Sequence, residues 1–452
     1  DEYFDARPLD AVGRCGEIVT RVYSAYSSWT SESLPIEARG GQMRAELAVL
    51  GPVFVKIAQT LATRSDIVSK ELASELGLLQ DSMPTFDTEM ALATVREEFG
   101  DWTGPLLDES GSAGSEGSEG SEGLFAELSA EPVAAASLAQ VYRGRLSDGT
   151  DVAVKVQRPR LLERVGLDFY VLRQVLATIN RFVGITKSSA IVQGVLDEVG
   201  DGIFAELDFT KESEHIERFR DLYSEKCPDV VVPTVIWPRT TTRVLTMTWL
   251  SGRKPRALDA QEKLALVRMA APCLSLQLMD DGFVHCDPHE GNIMLLDDGR
   301  LGLIDFGLVT QMTAVHQESM ASAILNLVAG DYRALVPCFK GMGVLNTDLD
   351  DIRRPGVTRD FAEALEEALS GGGRQRAIQG DTDRRRAFGQ LYEELGSLAF
   401  QYYFTLPSYY VLVMRSFVTL EGIAFAGDPD FNMYTTSYPY AFRRLLAPRT
   451  AV

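Results

Sequence analysis

"GFVHCDPHEGNIML", residues 282–295, decides how this chain is read. It sets His285, Asp287, His289, Glu290 and Asn292 between apolar residues on both sides, a pattern surface loops rarely have. Residues 303–308, "LIDFGL", place one further acid, Asp305, in a second apolar run. An Asp, an Asn five residues on and a second Asp eighteen residues after the first therefore stand against buried strands. Such spacing asks for chemistry, because an acid beside a core costs folding energy unless it is partnered.

The order D-x-x-x-x-N followed by D-F-G matches the catalytic loop and metal-binding turn of a kinase-like nucleotide fold. Phosphoryl transfer needs a carboxylate to orient the nucleophile, and oxygen ligands to hold Mg²⁺ on the phosphates. Asp287 fits the first role; Asn292 and Asp305 fit the second. Upstream, "VAVKV" puts Lys155 on a hairpin strand, the setting for a lysine gripping α- and β-phosphates. A lone DFG or a lone strand lysine carries little weight. The three in this order carry much more. His285 reads as a packed histidine shaping the loop, and Cys286 as a small buried residue. His289 has no second metal ligand at a useful spacing.

Two standard parts are missing. Where a glycine-rich phosphate loop belongs, the chain has "VAAASLAQVY" (133–142), with Ala134, Ala135, Ala136 and Ser137 at the phosphate position. Alanine resists the positive-φ conformations that let a backbone wrap phosphates closely. No A-P-E triplet follows the DFG, and Cys286 stands where an arginine ordinarily precedes the catalytic Asp. A platform for a protein substrate, and its usual phosphorylation switch, are not evident.

The rest of the chain bounds this reading. At 452 residues, 45% apolar and 24% charged, it has room for two lobes of ordinary globular composition. A net charge of −20 excludes nucleic acid as the main partner, while leaving room for a nucleotide held by a few local cations. Five scattered cysteines without C-x-x-C spacing read as reduced thiols. No apolar run reaches the ~18 residues of a transmembrane helix. The chain opens on Asp1 and not on Met, which is compatible with a processed form or a fragment, and a targeting peptide would not be visible.

Residues 111–123, "GSAGSEGSEGSEG", cannot bury apolar surface and read as a flexible insert after a helical extension over 1–110. Helices are expected at 51–64 and 68–81, then strands at 140–146 and 151–157 around an Asp-Gly turn. Further helices are expected over 191–223 and 261–282. A strand at 243–250 and a second hairpin around Asp298-Gly299 lie among them. From about 313 the pattern is mostly helical, with "SGGGRQ" (370–375) as a loop. The expected architecture is α+β: a two-lobed protein kinase-like fold with an N-lobe over 124–250 and a C-lobe over 251–452 that ends in a helical C-terminal region.

Several blocks together closely resemble the UbiB family of atypical kinases, in its photosynthetic or plastid-type branch. "GPVFVKIAQTLATRSDIV" (51–68) is similar to that family's K-x-G-Q helix, and "HCDPHEGNIML" to its H-A-D-P-H-P-G-N-I signature. "LLQDSMPTF", "AAASLAQVY", "VAVKVQRP", "ELDFTKES", "YFTLPSYYVLVMRSFVTLEGIA" and "YPYAFRRLL" match further blocks. The resemblance implies a kinase-like fold whose N-terminal extension covers the site, with ATP or ADP and Mg²⁺ as cofactors. It also implies a lipid or quinone-related small molecule and a membrane surface as partners. On its own, the polar stripe Lys56, Gln59, Thr60, Thr63, Arg64 would read as a solvated helix face. The resemblance turns Lys56 and Gln59 toward the nucleotide, and makes 246–250, "TMTWL", with Met247 and Trp249, the adenine hinge. Ala58 stands where the family usually has Gly, Thr248 where an acid is usual, and Glu290 where a proline is usual. Lys155 needs a carboxylate, and Glu206 and Glu212 are both candidates. Six residues turn a helix by about 240°, so both cannot serve one group. The preferred pairing is Glu212 with Lys155, and Glu206 with Asp208 toward Lys56.

The function expected is an ATP/Mg²⁺-dependent atypical kinase or ATPase in isoprenoid quinone or lipid homeostasis. Its expected place is a chloroplast thylakoid or plastoglobule, or alternatively a mitochondrial or bacterial membrane. Rivals are a small-molecule kinase of the aminoglycoside phosphotransferase type and a membrane-associated nucleotide-sensing scaffold with little turnover.

Overall fold

The computed structural model describes residues 2–5, 7–31, 33–62, 68–79, 85–100, 106–107, 124–184, 187–345 and 406–447. The insert at 111–123, the loop at 370–375, and Thr63 and Arg64 lie outside the described residues. The described chain forms two compact units. One takes residues up to 62, 68–214 and 234–249; the other takes 215–233 and 250 onward.

The first unit is organised by a sheet. Its strand order is Leu106–Leu107, Glu127–Ser129, Ala139–Arg145, Asp151–Gln157, Val244–Thr248, with Ala134–Ala135 paired onto Ala139–Arg145. The Ala139–Arg145 and Asp151–Gln157 strands are antiparallel about the Asp148-Gly149 turn, where Gly149 takes φ +86° and the Asp148 carboxylate accepts the Thr150 N–H at 2.9 Å. Alternation along these strands drives Tyr142, Val152, Val154 and Val156 into a core shared with Leu92, Val95 and Phe125. In the same strand Lys155 stands opposite Val141 on one side and Leu245 on the other, so a charged residue occupies mid-sheet.

Four N-terminal helices, Pro8–Thr30, Ile36–Leu50, Pro52–Ala62 and Lys70–Gly77, belong to this unit. Ala25, Met43, Ala58, Leu76 and Leu79 form their core. Gly51, at φ +105°, makes the sharp turn that lets Pro52 open the next helix. The Pro8–Thr30 helix is tied to the helix Leu161–Val183 by a buried fork: Arg14 Nε and Nη2 reach the two Asp168 carboxylate oxygens at 2.6 and 3.1 Å, and Nη2 also donates to the Leu50 carbonyl at 2.5 Å. Asp168 has no solvent exposure.

The single helix expected over 191–223 is two, Lys187–Glu206 and Phe209–Tyr223. Asp208 breaks them: its carboxylate accepts from the Thr210 N–H and hydroxyl at 3.0 and 2.5 Å, an N-terminal capping arrangement that competes with continued helix. Asp208 thus caps the second helix through Thr210, and the 240° argument, which assumed one helix, does not apply.

The second unit packs helices around Ala260–Leu276, which opens on a reciprocal Asp259/Glu262 capping box. This helix was expected to run to Gly282. It instead widens into a π-turn, Gln277–Asp281, ended by Gly282 at φ +71°. A Cβ on Gly282 would lie 2.6 Å from the Met312 carbonyl oxygen, so glycine is required there twice over. A sheet in the order Val230–Val231, Leu301–Leu303, Ile293–Leu296, Gly252–Arg253 carries the second hairpin, and Phe283–His285 pairs with Val309–Gln311. The helices Ala314–Ala329, Ser408–Ala424 and Met433–Leu446 complete the unit. No helix among the described residues is long and apolar enough to cross a membrane.

Candidate active site

In the first unit the Lys155 ammonium donates to both Glu212 carboxylate oxygens at 2.9 Å, over the Phe209 ring at 5.2 Å. Both side chains are nearly buried. The pair exists because the Asp208 cap restarts the chain as a helix at Phe209, placing Glu212 in its first turn. Lys56 pairs with Glu206, the last residue of the preceding helix. Lys56 and Gln59 are half-buried, while Ala58 is 2% exposed and packs into the core of the N-terminal helices. The methyl that departs from the family pattern is therefore filled space in a helix interface.

The alanine-rich segment is part strand and part turn, with Ala136 and Ser137 in the turn before the Ala139–Arg145 strand. Ala134 and Ala135 are strand, opposite Val141 and Gln140, and Ala136 N–H donates to the Ala139 carbonyl at 2.8 Å. No positive φ occurs there: Arg160 is the one non-glycine described residue with one. Arg158 grips the Ala136 carbonyl through Nη2 at 3.0 Å and stacks its guanidinium 5.2 Å over the Phe86 ring. Ser137 sits half-buried at the turn. Met247 is buried in mid-strand and bridged to Val235, and Trp249 donates its N–H to the Asp151 carbonyl while Arg143 lies 5.2 Å over its indole.

In the second unit the opening stretch folds around backbone carbonyls. Burial holds His285 below the usual histidine range, so it is neutral near pH 7, and its Nε2 lies 2.7 Å from the Asp305 carbonyl. His285 N–H donates to Gln277 Oε1 at 2.9 Å, the partner supplied by the π-turn. The Phe306 ring meets His285 edge-on at 5.0 Å, and the Phe306 carbonyl is 3.1 Å from His215 Nδ1. The DFG backbone is thus held by two histidines. Asp305 Oδ1 accepts the Gly307 N–H at 3.0 Å. Asn292 Nδ2 donates to the Asp287 carbonyl at 3.1 Å, which turns the amide oxygen away from that carbonyl. Cys286 is fully buried, and burial pushes its thiol well above the ordinary range.

Sequence reasoning missed three cations. Arg415 Nη2 donates to Asp287 Oδ1 at 2.5 Å, and His289 Nε2 stands 3.6 Å from Oδ2 of the same carboxylate. The signal was available: Arg415 is one of only two charged residues, with Glu421, in the mostly apolar helix Ser408–Ala424. Lys254 donates to the Gly291 carbonyl; burial brings its ammonium down to about 8, partly opposed by the charge of Asp305. Arg158, described above, is the third. Glu290 lies 3.3 Å from Arg256, so its departure from the family proline is paired.

The oxygen set fits Mg²⁺. One carboxylate and one amide oxygen, on residues whose backbones are pinned, are hard donors, and Mg²⁺ keeps waters and phosphate oxygens for its other positions. Among the described residues no cluster of three or more His, Cys, Asp or Glu side chains could hold a metal.

Residues 114–338 match the family model of the ABC1 atypical kinase-like domain. The chain is 35% identical over 417 residues to the Arabidopsis thaliana protein ACTIVITY OF BC1 COMPLEX KINASE 3, chloroplastic, covering 91% of this chain and 54% of that protein. It is 33% identical over 457 residues to protein slr1919 of Synechocystis, covering 98% and 75%. The chain therefore spans about half the length of the first relative and three quarters of the second. A solved structure of Rv3197 from Mycobacterium tuberculosis, in complex with erythromycin, superposes with a TM-score of 0.50 at 24% identity, over 69% of this chain and 77% of that one. That likeness gives the fold, which is kinase-like. With 33% identity to slr1919 across nearly the whole chain, and the domain model laid over the strand lysine, the catalytic loop and the DFG, the chain belongs to the ABC1 atypical kinase-like family, the group that the resemblance names UbiB.

Proposed function

We propose that this chain is an ATP- and Mg²⁺-dependent atypical kinase or ATPase acting in isoprenoid quinone or lipid homeostasis, at a plastid membrane surface or its bacterial counterpart. The observation that carries the nucleotide part is the second unit's hairpin, which presents Asp287, Asn292 and Asp305 with their backbones fixed by His285, His215 and one another. Lys155, oriented by Glu212, takes phosphate oxygens. Asp305 and Asn292 would hold Mg²⁺, which would supply neutralising charge to the transferring phosphoryl group. Asp287 orients the acceptor hydroxyl or water, and Arg415 holds its carboxylate in place. The Lys56–Glu206 pair and the arginine-clamped alanine strand restrain closure on the γ-phosphate, so ADP is held at least as well as ATP and other proteins are poor acceptors. The chloroplast location and the lipid or quinone connection rest on the family resemblance and on the plastid naming of the Arabidopsis relatives.

The test is thermal stabilisation by nucleotide. Wild type should gain stability from ATP or ADP with Mg²⁺, and Asp305→Asn should lose the Mg²⁺-dependent part while unfolding at a similar temperature without ligand. An unchanged nucleotide-plus-Mg²⁺ shift in that variant removes Asp305 from the metal site. Release of labelled γ-phosphate, with and without phenolic quinone analogues and lipid vesicles, separates an enzyme from a scaffold.

A further inference from the structure

The helix Pro8–Thr30 has two unlike faces. The inward one carries Arg14, Ile18 and Ala25, all buried. The helix's cations are paired on that side, Arg14 with Asp168 and Glu17, and Arg21 with Glu46. The outward face is apolar. Leu9, Val12, Val19, Tyr23 and Tyr26 are 55–85% exposed, with the exposed Gly16 among them. Single exposed apolar side chains are ordinary, but five on one stripe mark an interaction surface.

The order of the stripe says what kind of partner fits. Positions 9, 12, 16, 19, 23 and 26 alternate steps of three and four, the 3.5-residue repeat of a seam that meets another helix. A face that lies on lipid needs no such alternation and is usually bordered by lysine and arginine. Here the flanking positions are Gly13, Thr20 and Ser27 on one side and Cys15, Val22 and Trp29 on the other, none of them charged. The chain as a whole carries −20, so two copies repel one another in general. A seam and margins without an acid keep that repulsion out of the contact.

The sizes along the stripe set the direction of the partner. Parallel pairing of two copies would put Tyr23 on Tyr23 and Gly16 on Gly16, crowding one end and leaving a gap in the middle. Antiparallel pairing about a two-fold axis between residues 17 and 18 sets Leu9 against Tyr26, Val12 against Tyr23 and Gly16 against Val19, a smaller residue facing a larger one each time. A Cβ on Gly16 would meet nothing within 4 Å in its own chain, so this glycine leaves room that the partner's Val19 can fill. At about 150–250 Å² for a whole tyrosine, Tyr23 and Tyr26 alone offer roughly 200–340 Å² per copy. With Leu9, Val12 and Val19 the pair buries on the order of 1,000 Å², where specific interfaces begin.

We propose that the outward face of the helix Pro8–Thr30 is a homodimer interface, in which two copies pair these helices antiparallel in a self-complementary contact. The pairing does not depend on the nucleotide reading.

The full chain is examined by sedimentation velocity over a range of micromolar concentrations. Wild type should sediment at twice the chain mass. Tyr23→Glu, at a position too exposed to matter for the fold of one chain, should sediment at the chain mass with an unchanged far-ultraviolet circular dichroism spectrum. Direction is read with thiols in a Cys15→Ser background, the other four cysteines being buried. Val12→Cys combined with Tyr23→Cys should give a covalent dimer under mild oxidation, and neither substitution alone should. Residues 12 and 23 of one helix stand roughly 16 Å apart, as do the two copies of residue 12 across the antiparallel pair, so only the contact between 12 and the partner's 23 closes a disulfide. Wild type at the mass of one chain overturns the proposal, as does a dimer that Tyr23→Glu leaves intact. Cross-linking of Val12→Cys alone as fast as of the double variant overturns the antiparallel direction. Flotation of single chains on neutral-lipid vesicles, lost in Tyr23→Glu, overturns it too and gives the face to a lipid surface.

Discussion

The Lys155–Glu212 pair makes a quantitative demand on the first unit. The side chains are 11% and 5% exposed, and one ammonium faces two carboxylate oxygens at 2.9 Å. Removing one partner takes the two-pronged counter-charge from the other in a nearly buried site, which costs about 3–5 kcal/mol. Replacing both by apolar groups of similar volume is close to neutral, because the desolvation penalty disappears with the charges. Lys155→Met and Glu212→Leu are therefore each strongly destabilising alone and mild together. For a unit of 150–250 residues about 1 kcal/mol moves the melting temperature by roughly 2–4 °C, so each single variant should melt about 6–20 °C lower. Scanning calorimetry without nucleotide, on wild type, both singles and the double, closes the cycle. The double should recover most of the loss, so the coupling should approach the sum of the two single losses, about 6–10 kcal/mol. Additive losses, with the double as low as the sum of the singles, would refute the claim that the charges are mutually required in the folded unit.

Two further outcomes follow from the second unit. Arg415→Ala frees the Asp287 carboxylate to wander and should lower phosphate release by about tenfold or more, as a lost positioning contact does, while Mg²⁺-nucleotide shifts persist; Arg415→Lys should restore part of it, and a variant with full turnover removes the arginine from the mechanism. His285 has its folded proton affinity depressed by burial, so the unfolded chain binds more protons as the pH falls: stability is fully present above about 6.5 and is lost as the pH drops through the lower folded value. His285→Gln should flatten that acid limb in thermal scans between pH 7 and 5, and an unchanged limb would assign it to other groups.

Much of this was legible because it is periodic or local. The strand alternation around Lys155, the Asp-Gly turns, and the order of Asp287, Asn292 and Asp305 depend on neighbours in sequence, and they survive folding as written. The splitting of 191–223 was not legible, because Asp208 can lie in a helix or end one, and its Thr210 contacts decide which. The π-turn at Gln277 is likewise invisible to a 3.6-residue pattern, since it keeps the apolar face and alters only the hydrogen bonding. Ala134 and Ala135 were misread for a related reason: alanine has no strong preference, and pairing to Val141 and Gln140 makes them strand. Arg415 reaches Asp287 from 128 positions away, so no spacing rule joins them; a charge in a mostly apolar helix was the trace.

The fork between Arg14 and Asp168 bears on how such chains can be recombined. A chimaera that takes its first 60 residues from one parent and the helix 161–183 from another must bring both halves of that fork or neither. An acid at 168 facing an apolar residue at 14 would be a buried carboxylate without its two-pronged partner, and the Leu50 carbonyl would keep only the longer 3.3 Å contact from Arg164. Crossovers that keep residues 8–50 with 161–183 should yield folded libraries, and those that separate them should yield insoluble ones. The N-terminal helices are in this sense inherited with the lobe they brace, and cannot be shuffled as a cassette.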